Sequence, residues 1–161
     1  MDVLDEELLK FWKCLNQHQV KYIMIGGFAT RLHGFNRSTD DLDMWIEDTT
    51  TNRKNLRAVF NEMEYGDIPT LETMDFIPGW TSFHIVNGIE LDILTEMKGL
   101  GNTTFSESLA QASIADLDGI KIPFLHINQL IENKKATNRP KDQIDVLELE
   151  KIKKIREERE E

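Results

Sequence analysis

With 161 residues, 29 of them acidic against 19 Lys and Arg, the chain carries a formal net charge of −10; it is long enough for one domain with a sizeable core and too short for a second, substrate-binding domain. Apolar residues make up 40% and charged residues 30%, no apolar run approaches membrane-spanning length, and the acidic N-terminus lacks the basic and apolar regions of a signal peptide, so a globular, cytoplasmic protein without a membrane partner is expected. The single cysteine, Cys14, excludes an internal disulfide and reads as a buried or half-buried thiol.

The spacing of Leu4, Leu8, Trp12 and Leu15 predicts a packing helix over 4–17, with Asp5, Glu6 and Glu7 placed where the helix dipole favours acids. After a short polar turn the apolar run Tyr22–Ile25 reads as a strand. It is followed by the break Gly26-Gly27, a short helical run, and a second strand opening with Asp41 and Asp43. Side chains alternate across a strand, so Asp41 and Asp43 point to one face while Leu42 and Met44 point to the other. Two carboxylates on one face suit a hard divalent cation, which takes oxygen ligands and binds phosphate. A diglycine after a strand lets backbone N–H groups come close to a phosphate. The two halves together suit one ligand, a metal-bound nucleoside triphosphate.

The next helix is predicted over 51–64, with Leu56, Val59, Phe60 and Met63 on its apolar side and a Thr-rich start able to cap it. The stretch Gly66 to Gly79, with Pro69 and Pro78, reads as a surface loop holding at most a short strand or helical turn. Ser82–Val86 and Ile89–Leu94 flank Asn87-Gly88, the strongest short-range hairpin signal. In the second of these strands Glu90 and Asp92 share the face opposite Ile89, Leu91 and Ile93. A carboxylate in so apolar a strand is costly to bury unless it is paired or bound to metal; a solvated strand face is the plainer alternative.

Further along, Thr103 to Ala112 reads as a short helix, Asp116-Leu-Asp-Gly119 as a turn, Ile120–Leu125 as a strand, and 127–136 as an amphipathic helix. Pro140 suits the first position of a last helix carrying Ile144, Leu147, Ile152 and Ile155, with a frayed, solvated charged end from about residue 156. There is no internal repeat and no linker, so residues 1–161 are expected to form one domain. Residues 130–161 hold nine Lys or Arg against nine acids, which leaves ten against twenty in the rest of the chain. The part holding the aspartates thus carries all the excess negative charge, and such a surface does not bind a polyanion unaided.

The apolar strand, Gly26-Gly27-Phe28-Ala29, then His33-Gly34, Arg37-Ser-Thr39 and Asp41-Leu-Asp43, resembles the nucleotidyltransferase superfamily of DNA polymerase β in its minimal form. Within it the AbiE-type toxin branch is most similar, and lincosamide-type antibiotic adenylyltransferases are more distant. The thirteen residues between Gly27 and Asp41 lie at the long end of what the family allows, and the resemblance spans roughly residues 20 to 150. It implies an α/β (α+β) fold with a mixed sheet of four or five strands flanked by helices, in which the first strand, the Asp41–Asp43 strand and the Asp92 strand are neighbours with helices on one side.

The resemblance also implies an activity. Asp41, Asp43 and Asp92 would be the catalytic and metal-binding carboxylates, holding two Mg2+ or Mn2+ ions, with Asp92 on the acceptor side as general base. Gly26 and Gly27 would approach the triphosphate, ATP foremost. Arg37 and Thr39 would reach it too, or else close off the strand opening. Lys134, in the basic run Lys134, Lys135, Arg139 and Lys141, would meet the phosphates, most of that run being a solvated turn. The expected reaction moves a nucleoside monophosphate to an acceptor hydroxyl and releases pyrophosphate. The acceptor would be a tRNA or a protein if the chain is a toxin with an antitoxin partner, or a small molecule if it is a resistance-type enzyme; a degenerate nucleotide-binding module is the non-catalytic alternative. His33, His84 and His126 lack zinc-ligand spacing and read as structural.

Overall fold

The computed structural model describes residues 2–76, 80–85 and 88–160, the side chain at position 80 excepted. Chain order is α1 (Glu6–Gln17), β1 (Tyr22–Ile25), α2 (Gly26–His33), β2 (Asp41–Ile46), α3 (Thr50–Glu62), a 3-10 turn (Pro69–Glu72), β3 (Trp80–His84), β4 (Glu90–Leu94), α4 (Phe105–Gln111), β5 (Ser113–Leu117), β6 (Ile120–Phe124), α5 (Ile127–Thr137) and α6 (Pro140–Glu160). The strands form one mixed sheet in the order β3-β4-β2-β1-β6-β5, with β2–β4 and β1–β6 parallel and the other pairs antiparallel. β4, β2 and β1 are therefore neighbours, as the resemblance implied. Among the described residues the sheet has six strands rather than four or five because Ser113–Leu117, which carries no apolar run, pairs with β6 at the sheet edge. Its outward Ile114 stays 57% exposed.

All four residues of β1 are buried, so both faces of the sheet centre are covered, not one. The core gathers Leu8, Phe11, Trp12 and Leu15 of α1, Phe28 of α2, Leu42, Met44 and Ile46 of β2, Leu91 and Ile93 of β4, and Leu56, Val59 and Phe60 of α3. Asp5 caps α1 by accepting from the N–H groups of Glu7 and Leu8. The predicted first member of its stripe, Leu4, lies before the helix and is exposed. Thr49 caps α3 through the Asn52 N–H. Asn52 in turn fixes the far end of β1, accepting from the Lys21 N–H and donating to the Lys21 and Glu47 carbonyls. The loop after α3 is not free chain: Arg53 donates to the carbonyls of Leu71 and Met74 and its guanidinium lies over the Phe76 ring. Pro78, and Val86 and Asn87 of the hairpin signal, lie outside the described residues, but β3 and β4 pair antiparallel as that signal required.

The last helix departs furthest from its sequence pattern. Of its expected apolar face, Ile144, Leu147 and Ile155 are exposed and only Ile152 packs half-buried against the core, while Asp142, Asp145 and Leu149 are buried. The reason lies in what α6 packs against, since the cations of α5 and of the loop before β2 face it. The helix continues through the 156–160 segment that was expected to fray. Arg156 is anchored there, donating to the His33 carbonyl at 2.9 Å. His33 is buried and, with the hydrogen on Nε2, donates to the Leu125 carbonyl at 2.7 Å, so it ties α2 to the end of β6. Burial, together with the nearby Arg156 and His126 charges, pushes its imidazole down to about 4, which keeps it neutral. Among the described residues, no helix is long and apolar enough to cross a membrane.

Candidate active site

The site is built where β1 ends and β2 begins. Antiparallel pairing puts Ile25 opposite Asp43, and α2 starts at the next residue, Gly26. The expected diglycine break is thus the first turn of a helix whose leading residue, Ile25, is extended and offers no side-chain cap. The opening N–H groups of α2 are left for other partners, and they carry the positive end of the helix dipole. Gly26 has φ of +66°, and a Cβ built there would stand 2.2 Å from Asp43 Oδ2. Only glycine fits both that backbone and that carboxylate. At Gly27 a Cβ would meet Arg37 Nη2 at 2.8 Å and Thr39 Oγ1 at 3.1 Å. These are side-chain atoms, and the arginine end can move aside, so Gly27 is the less strict of the two.

β2 and β4 run parallel with Asp41 opposite Glu90 and Asp43 opposite Asp92. In-register residues point to the same face, so four carboxylates share one face of the sheet. Asp43 and Asp92 are direct partners across the two parallel strands, their carboxyls on one face. Burial, the charge and hydrogen bond of Asp92 and the charge of Asp41 together hold the Asp43 carboxyl well above the usual carboxylate range, against the opposing pull of Lys134. Ser82, directly across β3 from Asp92, donates its hydroxyl to Asp92 Oδ1. Asp41, at the exposed start of β2, stands slightly apart: among the described residues the three aspartates do not bring oxygens all within 4.8 Å of one another. The donor set still fits a hard cation. It is all carboxylate oxygen, and a divalent ion would offset the like-charge crowding that raises the Asp43 pKa.

The second half of the site is a buried ion network. Lys134 Nζ, 3% exposed as a residue, donates to Asp145 Oδ2 at 2.8 Å and lies 3.8 Å from Asp142 Oδ1. Arg37 Nη2 donates to the same Asp145 Oδ2 at 3.0 Å, with Nε 3.0 Å from Oδ1. Burial works against the Asp142 carboxylate, but hydrogen bonds from the Arg139 side chain and backbone and from Thr137 outweigh it and hold its pKa at about 2. Thr39 Oγ1 donates to the Asp41 carbonyl at 3.1 Å, bracing the start of β2.

Gly26, Gly27, Arg37, Thr39, Asp41, Asp43, Asp92 and Lys134 therefore lie in one neighbourhood. Gly26 touches Asp43, Gly27 touches Arg37 and Thr39, and Lys134 is close enough to pull on Asp43. Three participants were missed. Ser82 was legible, because it and Asp92 stand equally far from Asn87 on either side of the hairpin signal. Glu90 was seen on the right face but not as the partner of Asp41. Asp145 closes the 133–145 segment, which is itself similar to a late Lys...Arg-x-Lys-Asp...Asp stretch of the family, but most of that run reads as a solvated turn and its acids as local ion-pair partners.

No protein-family model matches this sequence, and no curated protein matches it. Solved structures do. A lincomycin-bound lincosamide antibiotic adenylyltransferase, LnuA, superposes with a TM-score of 0.64 at 16% identity, covering 92% of this chain and 97% of that one. A Thermotoga maritima protein described as a candidate nucleotidyltransferase gives 0.56 at 18% identity, over 93% of this chain and 88% of that one. The antibiotic-resistance factor ANT(2'')-Ia gives 0.57 at 18%, over 91% and 80%. The chain has the nucleotidyltransferase fold.

Proposed function

We propose that this chain is a metal-dependent nucleotidyltransferase that moves a nucleoside monophosphate from a nucleoside triphosphate, ATP foremost, to an acceptor hydroxyl and releases pyrophosphate. The observation that carries the reading is the parallel pairing of Asp43 with Asp92 against the glycine start of α2. Three carboxylates and an uncapped helix start converge there, with an oxygen donor set for cations beside an N–H donor set for phosphate. Asp41, Asp43 and Asp92 would hold Mg2+ or Mn2+, which when bound neutralises triphosphate charge and lowers the pKa of the acceptor hydroxyl.

The chain's own residues do the rest. Gly26 and Gly27 admit the phosphates to the N–H groups of α2. Arg37 and Lys134, oriented by Asp145, supply positive charge toward the departing pyrophosphate. Asp92 takes the acceptor hydroxyl proton, and the Ser82 hydroxyl fixes which Asp92 oxygen faces away from it. The acidic rim formed by Asp41 and Glu90 and the net charge of −10 favour a small hydroxylated acceptor over a polyanion such as tRNA. The lincomycin-bound neighbour supports the same choice. Transfer to tRNA or protein, under control of an antitoxin partner, is the alternative outcome of an acceptor screen.

Titration with a fluorescent ATP analogue tests the site. The parent chain should bind it in Mg2+ and lose it in a chelator. Gly26→Ala should abolish binding, because the new Cβ lands on Asp43 Oδ2, while Gly27→Ala should weaken it less. Equal binding by the Gly26→Ala variant would reduce the glycines to a plain helix start.

A further inference from the structure

α1 and α3 bring together three side chains that the proposed reaction does not use. Cys14 in α1 and His18, its C-cap residue, stand one helical turn apart and project from the same side of the helix. Glu62, the last residue of α3, faces both. Cys14 Sγ is 2.8 Å from Glu62 Oε2, and His18 Nε2 is 3.3 Å from Glu62 Oε1. A sulfur, an imidazole nitrogen and a carboxylate oxygen thus lie within 4.8 Å of one another, and among the described residues no other set of three His, Cys, Asp or Glu ligand atoms does.

The surroundings set this group apart from an ordinary core cysteine. Cys14 is buried on its inner side, where an apolar neighbour would be usual, yet it is turned onto a carboxylate. The group opens to solvent on the other side, since the His18 and Glu62 side chains are 30% and 56% exposed. Tyr65 belongs to the same corner, its ring against Phe11 of α1 and Phe60 of α3, and its buried hydroxyl has no hydrogen-bond partner among the described residues. The corner lies before the start of β1, whereas Gly26 and Asp43 lie at its other end, about 10 Å away along a strand of this length.

We propose that Cys14, His18 and Glu62 bind one transition-metal ion of the zinc class, with a fourth position open to water. Thiolate, imidazole and carboxylate are the ligands of a borderline-soft ion, and three protein ligands with one open position is a recurrent zinc arrangement. Mg2+ is too hard for such a set, so softness sorts the two ions between this corner and the aspartates. On binding, the thiol proton leaves to solvent as the sulfur–metal bond forms. His18 coordinates through the Nε2 lone pair with its proton on Nδ1, and Glu62 exchanges its two hydrogen bonds for the metal. The ion would tie the end of α1 to the end of α3.

The test uses the full chain stripped by a chelator and titrated with Co2+. A thiolate-to-cobalt charge-transfer band should grow to one equivalent and bleach when Zn2+ is added. The band should persist in the Asp41→Asn/Asp43→Asn double variant and vanish in Cys14→Ser. His18→Gln and Glu62→Gln alter partly exposed side chains and leave the fold in place, as far-ultraviolet circular dichroism would verify. Each should weaken cobalt binding roughly tenfold or more, at least as much as the loss of an outer-shell partner does. A parent chain without the band at excess Co2+ overturns the site. So does a band that neither His18→Gln nor Glu62→Gln weakens, which would mean a lone thiol binding metal nonspecifically.

Discussion

Replacing Asp92 by Asn is expected to lower nucleotidyl transfer by about 100- to 10,000-fold, the range lost with a general base, while binding of an Mg-nucleotide changes little. The amide cannot accept the acceptor proton, yet it keeps the shape of a side chain held between Ser82 and Asp43. Asp43→Asn should behave differently. Asp43 lies against Gly26 at the helix start, so its loss should weaken nucleotide binding and turnover together. Parallel titrations and transfer assays on the two variants separate these outcomes. Equal loss of nucleotide affinity in both would mean that the two carboxylates act as one unit, and full activity in Asp92→Asn would remove that residue from the chemistry.

The largest stability effect is expected at Asp145. It is 1% exposed and is the shared acceptor for Lys134 and Arg37. Asp145→Ala would leave the Lys134 ammonium buried with only the 3.8 Å contact to Asp142. Removing one partner of a buried ion pair costs about 3 to 5 kcal/mol, because an uncompensated charge remains. Urea or thermal melts should show that loss. The double variant Asp145→Leu/Lys134→Met, which removes both charges, should recover most of it. If Asp145→Ala melts with the parent, α6 is held by Leu149, Val146, Ile152 and the Asp142 contacts, and the Asp145 ion pairs contribute nothing to folding.

The contrast between β2 and α6 shows what the sequence made legible. Asp41 and Asp43 alternate with Leu42 and Met44, so their shared face could be read from spacing alone. Asp92 could be read the same way, from its place among Ile89, Leu91 and Ile93. What joins the two strands is parallel register, a long-range fact that the spacing within either strand does not contain. In α6 the same reasoning pointed the wrong way. Helical periodicity selected Ile144, Leu147, Ile152 and Ile155 as the buried face, of which only Ile152 packs against the core; partners elsewhere in the chain decide burial, and here those partners are Arg37 and Lys134. An acid that pairs with a buried lysine and a half-buried arginine looks, by periodicity alone, like any solvated acid. The edge strand β5 was missed for a related reason: with one neighbour and an exposed face it needs no apolar run.

The central claim is that the α-phosphoryl group of a triphosphate is transferred at Asp41, Asp43 and Asp92, and the position of a label tests it most directly. ATP labelled at the α-phosphate and ATP labelled at the γ-phosphate should be incubated separately with the chain, Mg2+ and a panel of hydroxylated small molecules, tRNA and protein. The expected result is acceptor-bound label from the α-labelled nucleotide only, with the γ label recovered in pyrophosphate, and no transfer in a chelator or in the Asp43→Asn variant. Transfer of the γ label, or α-label transfer that survives Asp43→Asn, would contradict it.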